Sequence, residues 1–174
     1  MRTLLHVCCG PCATATVAFW RGEGLSLTGY FYNPNIHPLL EFRRRMTGAE
    51  DLAEHANMEI ILDRHYDPVE WFTEVGARKE DRCRACIGLR LQKAAGEASA
   101  LGWEAFTTTL AISPWQDHEA IKSQGAAAAE AHSIEFLYED LRPKYRQSRE
   151  MSRNLGLYRQ KYCGCILSEW ERYR

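Results

Sequence analysis

The chain has 174 residues, 45% of them hydrophobic, with 22 Lys+Arg against 23 Asp+Glu, which fits one domain with a full core and makes disorder unexpected. No segment is long enough to cross a membrane, and the apolar run Leu4-Leu5-His6-Val7 lacks the length and cleavage site of a secretory signal. A reducing, cytoplasmic compartment with no membrane partner is expected.

Apolar periodicity predicts strands near residues 4–9, 26–32, 59–63, 105–111 and 134–139, with helical segments between them. Pro11 and Cys12 open the first helix, Pro38 the second and Pro68 the third, and the alanine-rich run from Asp117 to His132 forms a later one. Asn33-Pro34-Asn35 and Ser113-Pro114 punctuate strand ends. This alternation implies an α/β fold: a doubly wound, mostly parallel sheet with helices on both faces and ligands beyond the carboxyl ends of the strands, at the switch point. Residues 1–174 form a single domain, without internal repeat or long linker.

Charge divides this domain unevenly. Residues 1–141 carry 13 Lys+Arg against 20 Asp+Glu, net −7, whereas residues 142–174 carry 9 against 3, net +6. In the basic helical segment Arg146, Arg149 and Arg153, together with Tyr145, Tyr158 and Tyr162, offer charge for phosphates and flat faces for bases. A solvated helical face explains the same run equally well.

Seven cysteines fall in three tight groups: Cys8-Cys9-Gly10-Pro11-Cys12, Cys83-Arg84-Ala85-Cys86 and Cys163-Gly164-Cys165. In a reducing compartment such grouping points to metal or redox chemistry rather than structural disulfides. Three groups offer more thiolates than one zinc needs, which favours an iron-sulfur cluster with further redox or metal chemistry. Cys8 and Cys9 end the first strand, and Gly10 and Pro11 turn the chain into a helix whose amino end stabilises thiolates. Two-residue spacing lets Cys83 and Cys86 reach one metal centre. A disulfide across Gly164 would be strained and easily reduced, which favours a catalytic or metal-linked role for Cys163 and Cys165.

Two simpler readings leave residues unexplained. Cys9-Gly10-Pro11-Cys12 has a thioredoxin-like spelling, but the other cysteine groups have no task in that fold. A closed zinc site built from Cys83, Cys86, Cys163 and Cys165 would leave the first group idle.

The ordered set of Cys8-Cys9-Gly10-Pro11-Cys12, Tyr32-Asn33-Pro34-Asn35-Ile36-His37-Pro38, Arg82-Cys83-Arg84-Ala85-Cys86, Thr107-Thr108-Thr109-Leu110 with Ser113-Pro114, and Tyr162-Cys163-Gly164-Cys165 resembles the QueH-type epoxyqueuosine reductases. The resemblance spans nearly the whole chain. It implies an adenine-nucleotide alpha hydrolase-like (Rossmann-like) sheet carrying a 4Fe-4S cluster. It also implies reduction of epoxyqueuosine to queuosine at position 34 of a tRNA anticodon loop, with the oxygen leaving as water and an electron donor of unknown identity. By the same resemblance Cys8, Cys9, Cys83 and Cys86 are the cluster ligands, and Cys163 and Cys165 are a redox pair or ligands of a second, mononuclear iron. The residues themselves equally allow Cys12 into the cluster, because neighbouring side chains at a strand end point opposite ways and a bend is needed for both Cys8 and Cys9 to bind.

Around this core stand weaker candidates. Asp140, with Cys12, Cys163 and Cys165, is a candidate second-iron ligand, or a helix cap. His37 and His118 are candidate proton donors, or loop and cap residues. Tyr32 and Trp115 could stack on the modified base, or pack. Arg43-Arg44-Arg45 could add a phosphate contact, though a helix lets only some of them face one way. A tRNA-thiolating iron-sulfur enzyme and a non-catalytic zinc-containing RNA-binding module are the alternative functions.

Overall fold

The structure, a computed structural model, describes residues 1–76 and 79–174. Five strands, β1 (Arg2–His6), β2 (Ser26–Phe31), β3 (Ile60–Leu62), β4 (Ala105–Thr108) and β5 (Glu135–Phe136), form one sheet in the order β3-β2-β1-β4-β5, and every pairing is parallel. The chain winds outward from β1 in one direction and resumes beside it at β4, so the switch point lies between β1 and β4. Their register sets Leu5 beside Thr107 and His6 beside Thr108.

Helices α1 (Gly10–Gly22), α2 (Leu39–His55), α4 (Arg82–Ala100) and α5 (His118–His132) cover the two faces. Leu5, Phe31, Phe42 and Leu52 fill one layer with α1 and α2, while Leu4, Leu91, Phe106 and Ile121 fill the other with α4 and α5. Adjacent Leu4 and Leu5 are both fully buried, as period-two alternation requires of a strand covered on both sides. Gly10 lets α1 meet α2 closely, since a Cβ there would overlap the backbone carbonyl of Gly48.

The sequence-based strand starts hold to within one residue except for the first, which begins two residues earlier, and the strand ends come one to three residues sooner than expected. The strand expected over 4–9 is Arg2–His6, because Cys9 already caps α1 in an extended conformation. The strand expected over 105–111 stops at Thr108, whose hydroxyl accepts from Leu110 N at 3.2 Å and closes a 3-10 turn over Thr109–Ile112. Pro68 opens only one turn, α3 (Pro68–Trp71), followed by a π turn over Phe72–Gly76, with Asp67 as its cap.

The basic segment is helical in two pieces, α6 (Tyr145–Asn154) and α7 (Ile166–Tyr173). Helix α6 docks on α1 through small polar residues. Thr14 and Ser148 hydroxyls meet at 3.0 Å, and Thr14 also donates to Pro11 O at 2.8 Å. Among the described residues no helix is long and apolar enough to cross a membrane.

Candidate active site

The first cysteine group sits at the carboxyl end of β1, where an open parallel sheet places its ligands. Because the chain leaves the sheet after His6, Cys8 and Cys9 do not diverge. Their sulfurs lie 3.8 Å apart, and with Cys12, one turn into α1, all three lie within 4.8 Å of one another. The bend that the sequence requires is therefore present.

His6 fixes this corner. It is fully buried; its Nε2–H donates to Tyr32 O (3.1 Å) and its Nδ1 accepts the Thr108 hydroxyl (2.9 Å), tying β1 to the ends of β2 and β4. Burial first, and then the field of Arg90, lowers its pKa to about 4, so the ring is neutral, as this hydrogen-bonding pattern needs.

The three thiols are unequal. Hydrogen bonds with Cys12 and Cys9, joined by the Thr109 hydroxyl at 3.1 Å, pull Cys8 well below the usual thiol range. Interactions with Cys8 and Cys9, and then burial, push Cys12 well above it. For Cys9 a hydrogen bond with Cys12 pulls down, but Cys8 and burial outweigh it and the thiol is raised. Of the three, Cys8 is thus the one whose thiolate form its surroundings favour, and the α1 amino end adds to that.

The second group opens α4, and burial raises both Cys83 and Cys86. Cys86 is packed with Cys165, Trp71 and Val75 in one buried cluster, while Cys83 and Cys163 are exposed. The sulfurs of these four lie outside the 4.8 Å group formed by Cys8, Cys9 and Cys12. The second and third groups are thus brought together more closely than the second and first.

Cys163-Gly164-Cys165 is held by residues from α2 and the loop before it. Buried Arg45 pairs with Glu41 at 2.8 Å and donates to the carbonyls of Cys163 (2.6 Å) and Tyr162 (2.9 Å). The Tyr158 hydroxyl donates to the other oxygen of Glu41 at 2.6 Å. His37 N donates to Gly164 O (2.9 Å), and its Nδ1 accepts from Ile166 N (3.3 Å). A Cβ at Gly164 would stand 2.8 Å from Asn35 Nδ2, so only glycine allows this approach. Gln160 donates to Cys9 Sγ (3.0 Å) and Gln116 to Cys163 Sγ (3.4 Å).

These elements enclose a cavity of about 840 Å³ that Cys8, Cys12 and Cys163 line together with Arg90, Asn33 and Asn35. Among the described residues the Oδ1 atoms of both asparagines are buried without a partner. Tyr145, Arg149, Arg159, Lys161 and Trp115, the last 84% exposed, also line it.

Several expected residues have other tasks. His37 is 3% exposed and clamps the Cys-Gly-Cys segment, and His118 bonds the Tyr138 hydroxyl (2.8 Å) and Ser113 O (2.9 Å). Tyr32 is buried against Tyr30, outside the cavity lining. Asp140 accepts from the backbone and side chain of Arg142 and does not line the cavity. Arg149 reaches the lining; Arg146 and Arg153 are exposed on the same helix, and Tyr158 borders a separate concavity with Arg43 and Arg44. Of the Arg43-Arg44-Arg45 run, only Arg45 is buried. The sequence pattern alone does not mark Arg45 as a clamp or Arg90 as a cavity residue, although each stands four residues after a partner, Glu41 and Cys86, on its own helix.

A family profile described as "Epoxyqueuosine reductase QueH" matches residues 3–171. The chain belongs to the epoxyqueuosine reductase QueH family. A family member from Dehalococcoides mccartyi is 38% identical over 99% of this chain and 94% of its own length, and one from Thermotoga maritima is 34% identical over 97% and 91%. Both of these relatives are matched along nearly their whole length, and the match lends no support to the thiolating or zinc-module alternatives. Among solved structures, a predicted subunit of tRNA methyltransferase from Methanocaldococcus jannaschii shares the fold with a TM-score of 0.61 at 11% identity, covering 88% of this chain and 74% of that one. A teicoplanin deacetylase reaches 0.55 at 14% identity, covering 89% and 83%.

Proposed function

We propose that this protein is an oxidoreductase that reduces epoxyqueuosine to queuosine in tRNA. The observation that carries the reading is the cavity at the β1/β4 switch point, lined by Cys8, Cys12 and Cys163, in a chain of this family. The reaction takes two electrons and two protons: both epoxide C–O bonds break, a C=C bond forms, and the oxygen leaves as water.

The donor set fits a thiolate-ligated iron centre. Seven free cysteines cluster at one end of the sheet, three with sulfurs inside 4.8 Å, and soft sulfur ligands suit iron-sulfur clusters. Cys8, Cys9, Cys83 and Cys86 are proposed to hold a 4Fe-4S cluster, with Cys12 as the alternative within the first group. Cys163 and Cys165 are proposed as a redox couple or as ligands of a second iron with Cys12; Asp140 would join only by leaving Arg142. The cluster, when bound, supplies electrons one at a time.

The rest falls to the protein's own residues. The cavity holds the epoxide-bearing ring away from bulk water. Arg146, Arg149 and Arg153, at i, i+3 and i+7 on one face of α6, take phosphates, Tyr158 with Arg44 over its ring adds a contact in the neighbouring concavity, and exposed Trp115 offers a stacking surface to a splayed loop base. Anaerobic purification with iron and sulfide analysis, followed by conversion of epoxyqueuosine-containing tRNA with a chemical reductant, tests the reading. Protein with full iron and sulfide that leaves the epoxide intact would overturn it.

A further inference from the structure

Two sulfurs of the first cysteine group are met by hydrogen-bond donors from distant parts of the chain. Thr109, fully buried in the 3-10 turn that follows β4, accepts the backbone N–H of Cys8 at 3.0 Å and directs its own hydroxyl to Cys8 Sγ at 3.1 Å. Gln160, in the connection between α6 and α7, donates from Nε2 to Cys9 Sγ at 3.0 Å. Among the described residues no hydroxyl or amide hydrogen is directed at Cys12 Sγ, although it belongs to the same group. In the third group the corresponding donors, Gln116 Nε2 to Cys163 Sγ and Ser168 N to Cys165 Sγ, stand farther off at 3.4 and 3.3 Å.

The arrangement at Thr109 settles where its proton points. A threonine hydroxyl has one hydrogen and two lone pairs, and the Cys8 amide takes a lone pair. Among the described residues the one acceptor left for the hydrogen is Cys8 Sγ. Reversing that bond would leave a fully buried O–H without an acceptor, which is costly. Cys8 Sγ is therefore held as an acceptor, the role of a sulfur that ligates a metal. The two bonds also join the backbone and the side chain of one residue through a single oxygen, so Sγ cannot turn away without losing the hydroxyl.

We propose that Thr109 and Gln160 are positioning residues of the cysteine site: their hydrogen bonds hold Cys8 Sγ and Cys9 Sγ toward a shared metal centre and set its reduction potential at a more positive value. The statement about potential rests on the iron-sulfur function proposed above; the orientation of the sulfurs does not. Donors outside the ligand shell orient metal ligands, and hydrogen bonds to sulfur are among the factors that set the potential of an iron-sulfur centre. Reduction places more electron density on sulfur, so an O–H or N–H aimed at it stabilises the reduced form more than the oxidised one. Both residues act on the sulfurs and not on the epoxide.

The experiment compares Thr109→Val, which keeps the shape and loses the hydroxyl, with Thr109→Ser, which keeps the hydroxyl, and with Gln160→Met. Gln160 is only partly buried, so the fold of Gln160→Met is expected to survive even where Thr109→Val, with the Cys8 amide unpaired, does not. Metal-free protein is titrated with Co²⁺ and followed by the charge-transfer absorption of cobalt-bound thiolate. Affinity should fall about tenfold in Thr109→Val and in Gln160→Met, and Thr109→Ser should match the unaltered protein. In anaerobically loaded protein the reduction equilibrium should shift about tenfold toward the oxidised form in the same two variants, about 59 mV more negative for one electron, with Thr109→Ser again unshifted. A merely structural role would lower stability without moving the potential of protein that still holds its cluster. Unchanged cobalt affinity in Gln160→Met, an unchanged potential in both variants, or a Thr109→Ser protein that behaves like Thr109→Val overturns the proposal, as does unaltered protein that binds no cobalt through sulfur. Unaltered protein without iron-sulfur absorbance after loading would sink the iron-sulfur function, while the cobalt titration still decides whether the two donors orient the sulfurs.

Discussion

Replacing Arg45 with Met should release the Cys-Gly-Cys segment while the sheet stays folded. The substitution keeps most of the aliphatic stem and removes three interactions: the pair with Glu41 and the bonds to Cys163 O and Tyr162 O. Breaking one side of a buried ion pair costs about 3–5 kcal/mol, chiefly by stranding the other charge. Glu41 keeps the Tyr158 hydroxyl at 2.6 Å, which places the cost near the lower end, about 3 kcal/mol. Both carbonyls that Arg45 holds belong to the segment, so the cost falls on its opening. At 1.4 kcal/mol per tenfold, buried Cys165 should become alkylated roughly a hundredfold faster in metal-free protein, whereas Cys12, anchored on α1, should hardly change. Mass spectrometry of the labelled peptides reads both rates. Adding Glu41→Gln should recover part of the loss, because no charge is then stranded. Equal acceleration at Cys165 and Cys12 would mean global destabilisation, and unchanged Cys165 labelling would mean that His37 and Tyr162 hold the segment without Arg45; either result refutes the argument.

Gly164→Ala must push Asn35 aside, since its Cβ would meet Nδ2 at 2.8 Å; turnover should fall at least about tenfold with the circular dichroism spectrum unchanged. Asn35→Leu removes a buried amide whose Oδ1 has no partner among the described residues, so the ligand-free protein should gain about 1 kcal/mol in denaturant unfolding, and a loss of stability would show that the amide is satisfied in solution. Neutralising Arg146, Arg149 and Arg153 together should lower the log-log salt slope of tRNA binding by about 0.7–0.9 for each phosphate that α6 no longer neutralises. An unaltered slope would return α6 to a solvated face.

What could be read from the chain followed from local rules. The three central strands are visible because strands buried on both faces are short apolar runs, the two half-buried edge strands because they follow helices as short β-branched and aromatic runs, and Pro11 and Pro38 sit where helices begin. Strand ends were less legible: the run from Ala105 to Ala111 carries no charge or turn residue, and only the hydroxyl of Thr108 turns it into a 3-10 helix. The cysteine groups announced the site, but their partition did not, since the approach of Cys86 to Cys165 depends on how α4 meets the carboxyl-terminal segment. His37 was open from the sequence between proton donor and loop residue, and only the folded chain shows every polar atom it offers engaged in holding the chain around it. Arg90 gave no signal at all. An arginine in an arginine-rich helix looks like surface, and its burial is set by a cavity formed from distant parts of the chain.

The clamp on Cys163 joins residues 118 positions apart, Arg45 and Cys163, and this separation has a temporal meaning during synthesis. At about 5–20 residues per second, the α2 pair emerges roughly 6–24 s before the segment it holds, and the first three cysteines emerge earlier still. Over that interval the thiols of Cys8, Cys9 and Cys12 have one wall of their cavity missing and no Gln160 against Cys9. The site is therefore open to solvent while the chain grows, and it narrows only when the Cys-Gly-Cys segment docks. Thiol labelling of ribosome-bound chains halted before and after this segment should show Cys9 protection arising only in the longer ones.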